Sequence, residues 1–325
     1  MLQDKRTLLC WQDLSDVRGQ LYGLAIVSIM VFHYVEWASG SAFAGVYNTI
    51  IGSIGVDVFV LLSGYSIYHS LNKSFDLHAY YIRRAKRVLV PYVVAAMVFW
   101  AVKDLWLLQL PPSSFIRDLL FVSFVADGVR TVWYVPFIAG MYAIAPGVYQ
   151  FMKRGCPASA LVCLWLLLCA GIQAGMPGFF EHTEVALLRV PAFLLGMGCG
   201  GLAQRRQDVP AWVLVVLGAA VPLKFALVAP GQLLGRTLNV LYGGSLIALA
   251  VTAYKGMATL THAPRKSDVL ERAGALSYEL YLSHVMLRNY LATAGVDLTS
   301  LPTYLLCIAV SVPAAIALSQ LQRLR

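Results

Sequence analysis

The chain has 325 residues, of which 59% are hydrophobic and only 13% charged, with a mean hydropathy of +0.70 and a formal net charge of +9. Soluble globular domains carry about a quarter of their residues as charges, so this composition excludes that class. The cations are dispersed along the chain instead of lining one face, which excludes a nucleic-acid footprint as the meaning of the positive charge.

Apolar stretches of about 20 residues, the length a helix needs to cross a bilayer, recur from end to end. They predict an all-α polytopic bundle of about ten transmembrane helices. The spans fall near 20–38, 46–70, 89–109, 131–152, 158–175, 185–203, 210–229, 236–254, 273–294 and 302–321, with the fourth preceded by a broken segment at 118–126. Ser123 to Gly128 interrupts that segment, which reads as a short interfacial or re-entrant helix.

Orientation follows from basic residues in short loops, which favour the cytoplasm. Alternate loops collect 18 of the 25 Lys and Arg, among them Lys5, Arg6, Arg18, Lys73, Arg83 to Arg87, Lys153, Arg205, Arg265, Lys266, Arg323 and Arg325. The opposite loops hold Lys103, Arg117, Arg130, Lys224 and Arg236, and both termini are therefore expected in the cytoplasm. The start of the chain lacks the basic-then-apolar pattern of a cleaved secretory signal. The whole reads as one membrane domain over residues 1–325, with 1–18 as a cytoplasmic segment and no appended soluble domain. Six cysteines without a CxxC pair read as reduced and structural. No metal-ligand pattern is present.

Ionisable groups inside a bilayer are expensive and mark functional sites by default. The first span carries His33 and, one turn later, Glu36; the second carries Asp57. A carboxylate beside an imidazole fixes its tautomer and raises its basicity, as a general base requires, so Asp57 and Glu36 are both candidate partners of His33. The structural alternative is a hydrogen-bonded pair joining two helices. Ser63-Gly64 follows in the second span and suits close helix packing.

After the second span comes Tyr80-Tyr81-Ile82-Arg83-Arg84-Ala85-Lys86-Arg87, running into Pro91-Tyr92. A positive-inside clamp explains such a cluster. Arg84 and Arg87 are also one turn apart, so two guanidinium forks can grip the phosphates of a cytoplasmic donor. Trp133-Tyr134 reads as an interface anchor, and Arg189 as a snorkelling or substrate-binding cation. His284 and Arg288, four apart on the ninth span, again call for partners.

Taken together these segments resemble the acyltransferase-3 family of integral membrane O-acyltransferases. The blocks that carry the resemblance, in order, are Leu24 to His33; Gly55-Val56-Asp57-Val58-Phe59 with Ser63-Gly64-Tyr65; Tyr81-Ile82-Arg83-Arg84 to Pro91-Tyr92; and Ser277-Tyr278 with Tyr281-Leu282-Ser283-His284. Trp133 to Pro146 is a looser fifth. The resemblance implies transfer of an acetyl or other short acyl group from cytoplasmic acyl-CoA, as co-substrate, to a hydroxyl of a cell-envelope glycan or glycolipid, in a bacterial inner membrane. It makes His33 the catalytic base, with Asp57 or Glu36 orienting it. Arg84 and Arg87 match the family's donor-associated arginine pair, with Arg83 beside them; in a mechanism consistent with this, His284 or Arg288 binds the glycan or stabilises the oxyanion, and Arg189 and Trp133 are further acceptor-binding candidates. One departure stands out: the family's arginine 11 residues before the histidine is here Tyr22, and Arg18, one turn earlier, is the candidate substitute. The rival expectation is a proton-coupled transporter or flippase, which uses the same intramembrane residue types.

Overall fold

The computed structural model describes residues 9–227, 232–261 and 267–321; Lys5, Arg6, Arg265, Lys266, Arg323 and Arg325 lie outside them. The described residues form helices and no named strand. In chain order these are α1 (Asp13–Trp37), α2 (Ala42–Ile50), α3 (Ile54–Lys73), α4 (Leu77–Trp100), α5 (Pro112–Leu119), α6 (Val122–Asp127), α7 (Tyr134–Lys153), α8 (Ala158–Gly175), α9 (Pro177–Leu187), α10 (Val190–Gln204), α11 (Ala211–Ala226), α12 (Gln232–Thr261), α13 (Asp268–Ala275), α14 (Ser277–Thr293) and α15 (Leu301–Leu321). Among the described residues, seven stretches are long and apolar enough to cross a membrane: Ala42–Lys73, Leu77–Leu107, Tyr134–Lys153, Ala158–Gly175, Pro177–Gln204, Leu234–Met257 and Leu301–Leu321. The protein is thus an all-α, polytopic helical protein. Of the expected spans, α11 and α14 fall outside that set because they are only 16 and 17 residues long, and α1 falls outside it with Arg18, His33 and Glu36 among its apolar residues.

Boundaries differ from the expected spans at several helix ends. Helix α1 begins at Asp13, seven residues earlier than hydropathy suggests, with Asp13 and Asp16 in its first turn, where acidic groups complement the helix dipole. The second expected span is divided at 51–53, where α2 ends. Asp76 and Ser267 cap α4 and α13 by accepting the Ala79 and Leu270 N–H groups at 3.0 and 3.4 Å. The segment before Trp133 is the pair of short helices α5 and α6, parted at Phe121, whose φ of 61° is left-handed. The ninth span is broken at Leu276 into α13 and α14. Between α14 and α15, Asp297 Oδ1 accepts the Thr299 N–H and hydroxyl at 2.9 and 2.7 Å, which holds its carboxyl below the usual range.

Glycines set the closest helix contacts. A Cβ on Gly64 of α3 would collide with the Phe193 carbonyl of α10, and one on Gly196 of α10 with the Leu61 carbonyl of α3. Helices α1 and α13 meet in the same way, Gly23 against the Leu270 carbonyl and Gly274 against the Gly19 carbonyl. In lipid, where apolar side chains gain nothing by leaving their solvent, such close backbone approach is what favours association. The Ser63 hydroxyl is satisfied within α3 by the Phe59 carbonyl at 2.9 Å, leaving the contact at this point to Gly64.

One end of the bundle gathers Lys73, Arg84, Arg87, Lys153, Arg205 and Lys255. It is tied together by Lys255–Asp13 at 2.7 Å and by Val209 N–H to the Leu9 carbonyl at 3.0 Å. The opposite end is joined by the Tyr34 hydroxyl to the Thr299 carbonyl at 3.3 Å and Arg236 to the Ser53 hydroxyl at 2.8 Å.

Candidate active site

His33 lies one turn before the end of α1, and its Nδ1 is 2.8 Å from Nε2 of His284 in mid-α14. His284 is buried, and its Nδ1 is 2.7 Å from the Leu280 carbonyl, one turn back on the same helix. A carbonyl only accepts, so His284 Nδ1 carries the proton. In the neutral pair His284 Nε2 is then an acceptor, His33 Nδ1–H is the donor, and His33 Nε2 keeps its lone pair. That nitrogen has no hydrogen-bond partner among the described residues, and His33 is only partly buried. The arrangement presents an imidazole lone pair in a fixed orientation, which is the ground state of a general base.

The carboxylates expected to orient His33 are engaged elsewhere. Glu36 accepts from Arg288 Nη1 at 2.9 Å, and the same guanidinium nitrogen lies 3.5 Å from the His33 carbonyl. Arg288 thereby bridges α14 to the end of α1 that carries the pair. Asp57, buried in the first turn of α3, faces Arg189 across 3.6 Å. Arg189 stands just before α10, donates to the Val185 carbonyl at 2.6 Å, and lies over the Trp133 ring at 4.8 Å. The structure therefore brings Asp57, Arg189 and Trp133 into one buried cluster and His33, His284, Arg288 and Glu36 into another. Asp57 Oδ2 and Arg189 Nε are buried without hydrogen-bond partners among the described residues, so the first cluster holds polar atoms that a ligand can satisfy.

The basic segment of α4 divides just as clearly. Arg84 donates to the Ser70 hydroxyl at 3.1 Å and stacks between the rings of Tyr80 and Tyr142, 5.6 Å from each centroid. It lines a polar cavity of about 600 Å³ together with Arg18, Tyr22, His69 and Lys73. Gln20 Nε2, His69 Nε2 and Arg84 Nε, on residues of that wall, are buried without partners. Arg18 thus meets Arg84 in one chamber, where Tyr22 reaches the Ser66 hydroxyl at 3.3 Å. Arg87 turns away to the corner between α13 and α14, binding buried Glu279 at 2.7 Å and the freed Ala275 carbonyl at 3.3 Å. Arg83 is exposed on α4 outside the chamber.

Along α1, Arg18 and His33 are 15 residues apart, about 22 Å at 1.5 Å per residue. A column of rings bridges that distance. Tyr22 packs on Phe59 (5.0 Å between centroids), Phe59 on Tyr134 (5.6 Å), Tyr134 on Tyr281 (5.3 Å) and Tyr281 on His284 (6.3 Å).

Sequence reasoning found every member of these clusters except the pairing itself and the chamber wall. The wall had a signal: Ser66, His69, Ser70 and Lys73 recur at the three- and four-residue spacing of one face of α3. The contact between His33 and His284, 251 positions apart, left no such local trace.

A family model described as an acyltransferase domain matches residues 21–320. Among curated proteins, the chain is 29% identical over 154 residues to the peptidoglycan O-acetyltransferase OatA of Listeria monocytogenes, covering 45% of this chain and 21% of that protein. It is 24% identical over 337 residues to a protein of Staphylococcus aureus provisionally named an O-acetyltransferase, covering 90% of this chain and 53% of the relative. The chain thus spans about half or less of the length of these relatives. No solved structure matches it.

Proposed function

The chain belongs to the acyltransferase family whose model it matches over 300 of its residues, and from that premise we propose that it moves an acetyl or similarly short acyl group from cytoplasmic acyl-CoA to a hydroxyl of an envelope glycan or glycolipid. The observation that carries this reading is the bond between His33 and His284, which leaves His33 Nε2 as a positioned base. In the reaction, His33 Nε2 takes the proton of the acceptor hydroxyl as its oxygen attacks the thioester carbonyl. The tetrahedral oxyanion collapses, the C–S bond breaks, and the imidazolium returns the proton to the departing thiolate. General-base help of this kind is worth about 10²- to 10⁴-fold.

Arg288 supplies the cation beside this centre, and a fixed charge in a water-poor site stabilises a developing oxyanion strongly. The chamber of Arg18, Lys73 and Arg84 suits the donor phosphates, since guanidinium forks grip phosphate bidentately. Basic loops favour the cytoplasm, which puts this chamber where acyl-CoA is made and His33 toward the opposite face of a bacterial cytoplasmic membrane. The ring column between them is the apolar wall along which a pantetheine arm or its acyl group travels. Asp57, Arg189 and Trp133 form a polar and aromatic patch suited to the acceptor sugar.

The test is label transfer from radiolabelled acetyl-CoA to envelope glycan extracts by purified protein. Wild type transfers label, and His33→Ala, equally well folded, does not. Full transfer by the variant, or none by wild type across a range of acceptors, overturns the assignment.

A further inference from the structure

A second cavity, of about 620 Å³, lies between α3, α10, α11 and α12, away from both the histidine pair and the basic chamber. Its walls are apolar, with Leu61, Leu217, Leu241 and Val251 among them. It opens at the basic end of the bundle, where Trp11 and Arg205 line it. Trp11 Nε1 is buried without a hydrogen-bond partner among the described residues. The Arg205 side chain is exposed and makes no hydrogen bond or ion pair among the described residues. Helix α11 covers the cavity loosely, with Ala220 its one fully buried residue.

These features call for one kind of occupant. An apolar chamber does not hold ordered water, and at this depth the surrounding solvent is lipid acyl chains. The volume is that of a ligand pocket. An indole N–H and a free guanidinium at its mouth are donors without an acceptor, and basic pockets between helices on the cytoplasmic side suit anionic lipid headgroups. A wholly apolar guest would leave both donors unsatisfied; a free phosphate would leave the chamber empty.

We propose that this cavity binds one anionic phospholipid of the leaflet at the basic end, its phosphate held by Arg205 and the Trp11 indole and an acyl chain filling the chamber beneath α11. The site does not depend on the acyl-transfer reading, since no residue of it belongs to either cluster described above.

The full-length protein, stripped of lipid in detergent, is titrated with phosphatidylglycerol, phosphatidylcholine or glycerol phosphate, and retained lipid is counted by native mass spectrometry. Wild type is expected to keep one phosphatidylglycerol at about tenfold lower concentration than phosphatidylcholine, as a charge-assisted contact implies, and to ignore glycerol phosphate. Arg205→Gln abolishes that preference, Trp11→Phe, which keeps an aromatic ring and loses the indole N–H, reduces it, and Leu217→Trp, which fills the chamber, weakens both lipids. Equal retention of the two lipids by wild type, an undiminished preference in Arg205→Gln, or displacement of lipid by glycerol phosphate overturns the proposal. So does a concentration-dependent dimer that Leu217→Trp disrupts while no lipid is retained. Should Leu217→Trp fail to give monodisperse protein, Arg205→Gln and Trp11→Phe decide the matter alone.

Discussion

A neutral imidazole offers one donor and one acceptor, so two in contact adopt a single proton arrangement once a carbonyl claims a third nitrogen. Leu280 makes that claim on His284. On the proposed mechanism, His33→Ala lowers kcat by about 10²- to 10⁴-fold, whereas His284→Ala leaves the base in place but unoriented and costs about 10- to 100-fold, the scale of lost supporting contacts. Equal losses in the two variants, measured by steady-state label transfer, would make His284 a reacting group and not a positioning one. The two arginines of α4 separate by a different readout. Arg84→Ala is expected to raise KM for acetyl-CoA about tenfold, the loss of one charge-assisted contact, with kcat and thermal stability little changed. Arg87→Ala removes the guanidinium from the Glu279 carboxylate, which has no solvent exposure, and is expected to cost about 2–3 kcal/mol of stability, less than a fully buried pair because Arg87 is itself partly exposed. A Tm lowered by Arg84→Ala and spared by Arg87→Ala would reverse these roles.

At the scale of helices, the site depends on two crossings that allow no side chain. Gly64 and Gly196 let α3 and α10 touch backbone to backbone, and α10 in turn begins directly after Arg189, which faces Asp57. Gly196→Leu is expected to destabilise the protein by about 3 kcal/mol or more, since overpacking of a rigid contact must separate the helices; a Tm within a degree of wild type in the same detergent would show that the crossing yields. The helix boundaries show how far local signals reach. Hydropathy located the apolar body of nearly every span, because bilayer thickness imposes that length. It missed the start of α1 at Asp13, whose first turn is polar, and the break at Leu276, where Arg87 takes up the Ala275 carbonyl.

The whole molecule places a basic polar chamber at one end and a histidine pair about 22 Å away along α1. On the proposed orientation the donor is consumed from one side only. Acetyl-CoA supplied outside sealed inverted vesicles should support transfer, and the same donor outside right-side-out vesicles should not. Equal activity in both would show that the chamber does not face the cytoplasm.

The sequence alone determined the all-α membrane class and the identity of the costly residues, because both follow from composition, span length or short-range spacing, and its ordered motif blocks carried the resemblance to the acyltransferase family. His33 and Asp57, both ionisable and both in early spans, looked like natural partners on those grounds. Tertiary structure decided otherwise, setting His284 against His33, Arg189 against Asp57 and Arg288 against Glu36, while sending Arg84 and Arg87 to different neighbours. Which buried polar group meets which depends on the rotation and depth of helices far apart in the chain, and those are set by glycine-mediated contacts and carbonyl geometry that one-dimensional spacing does not encode.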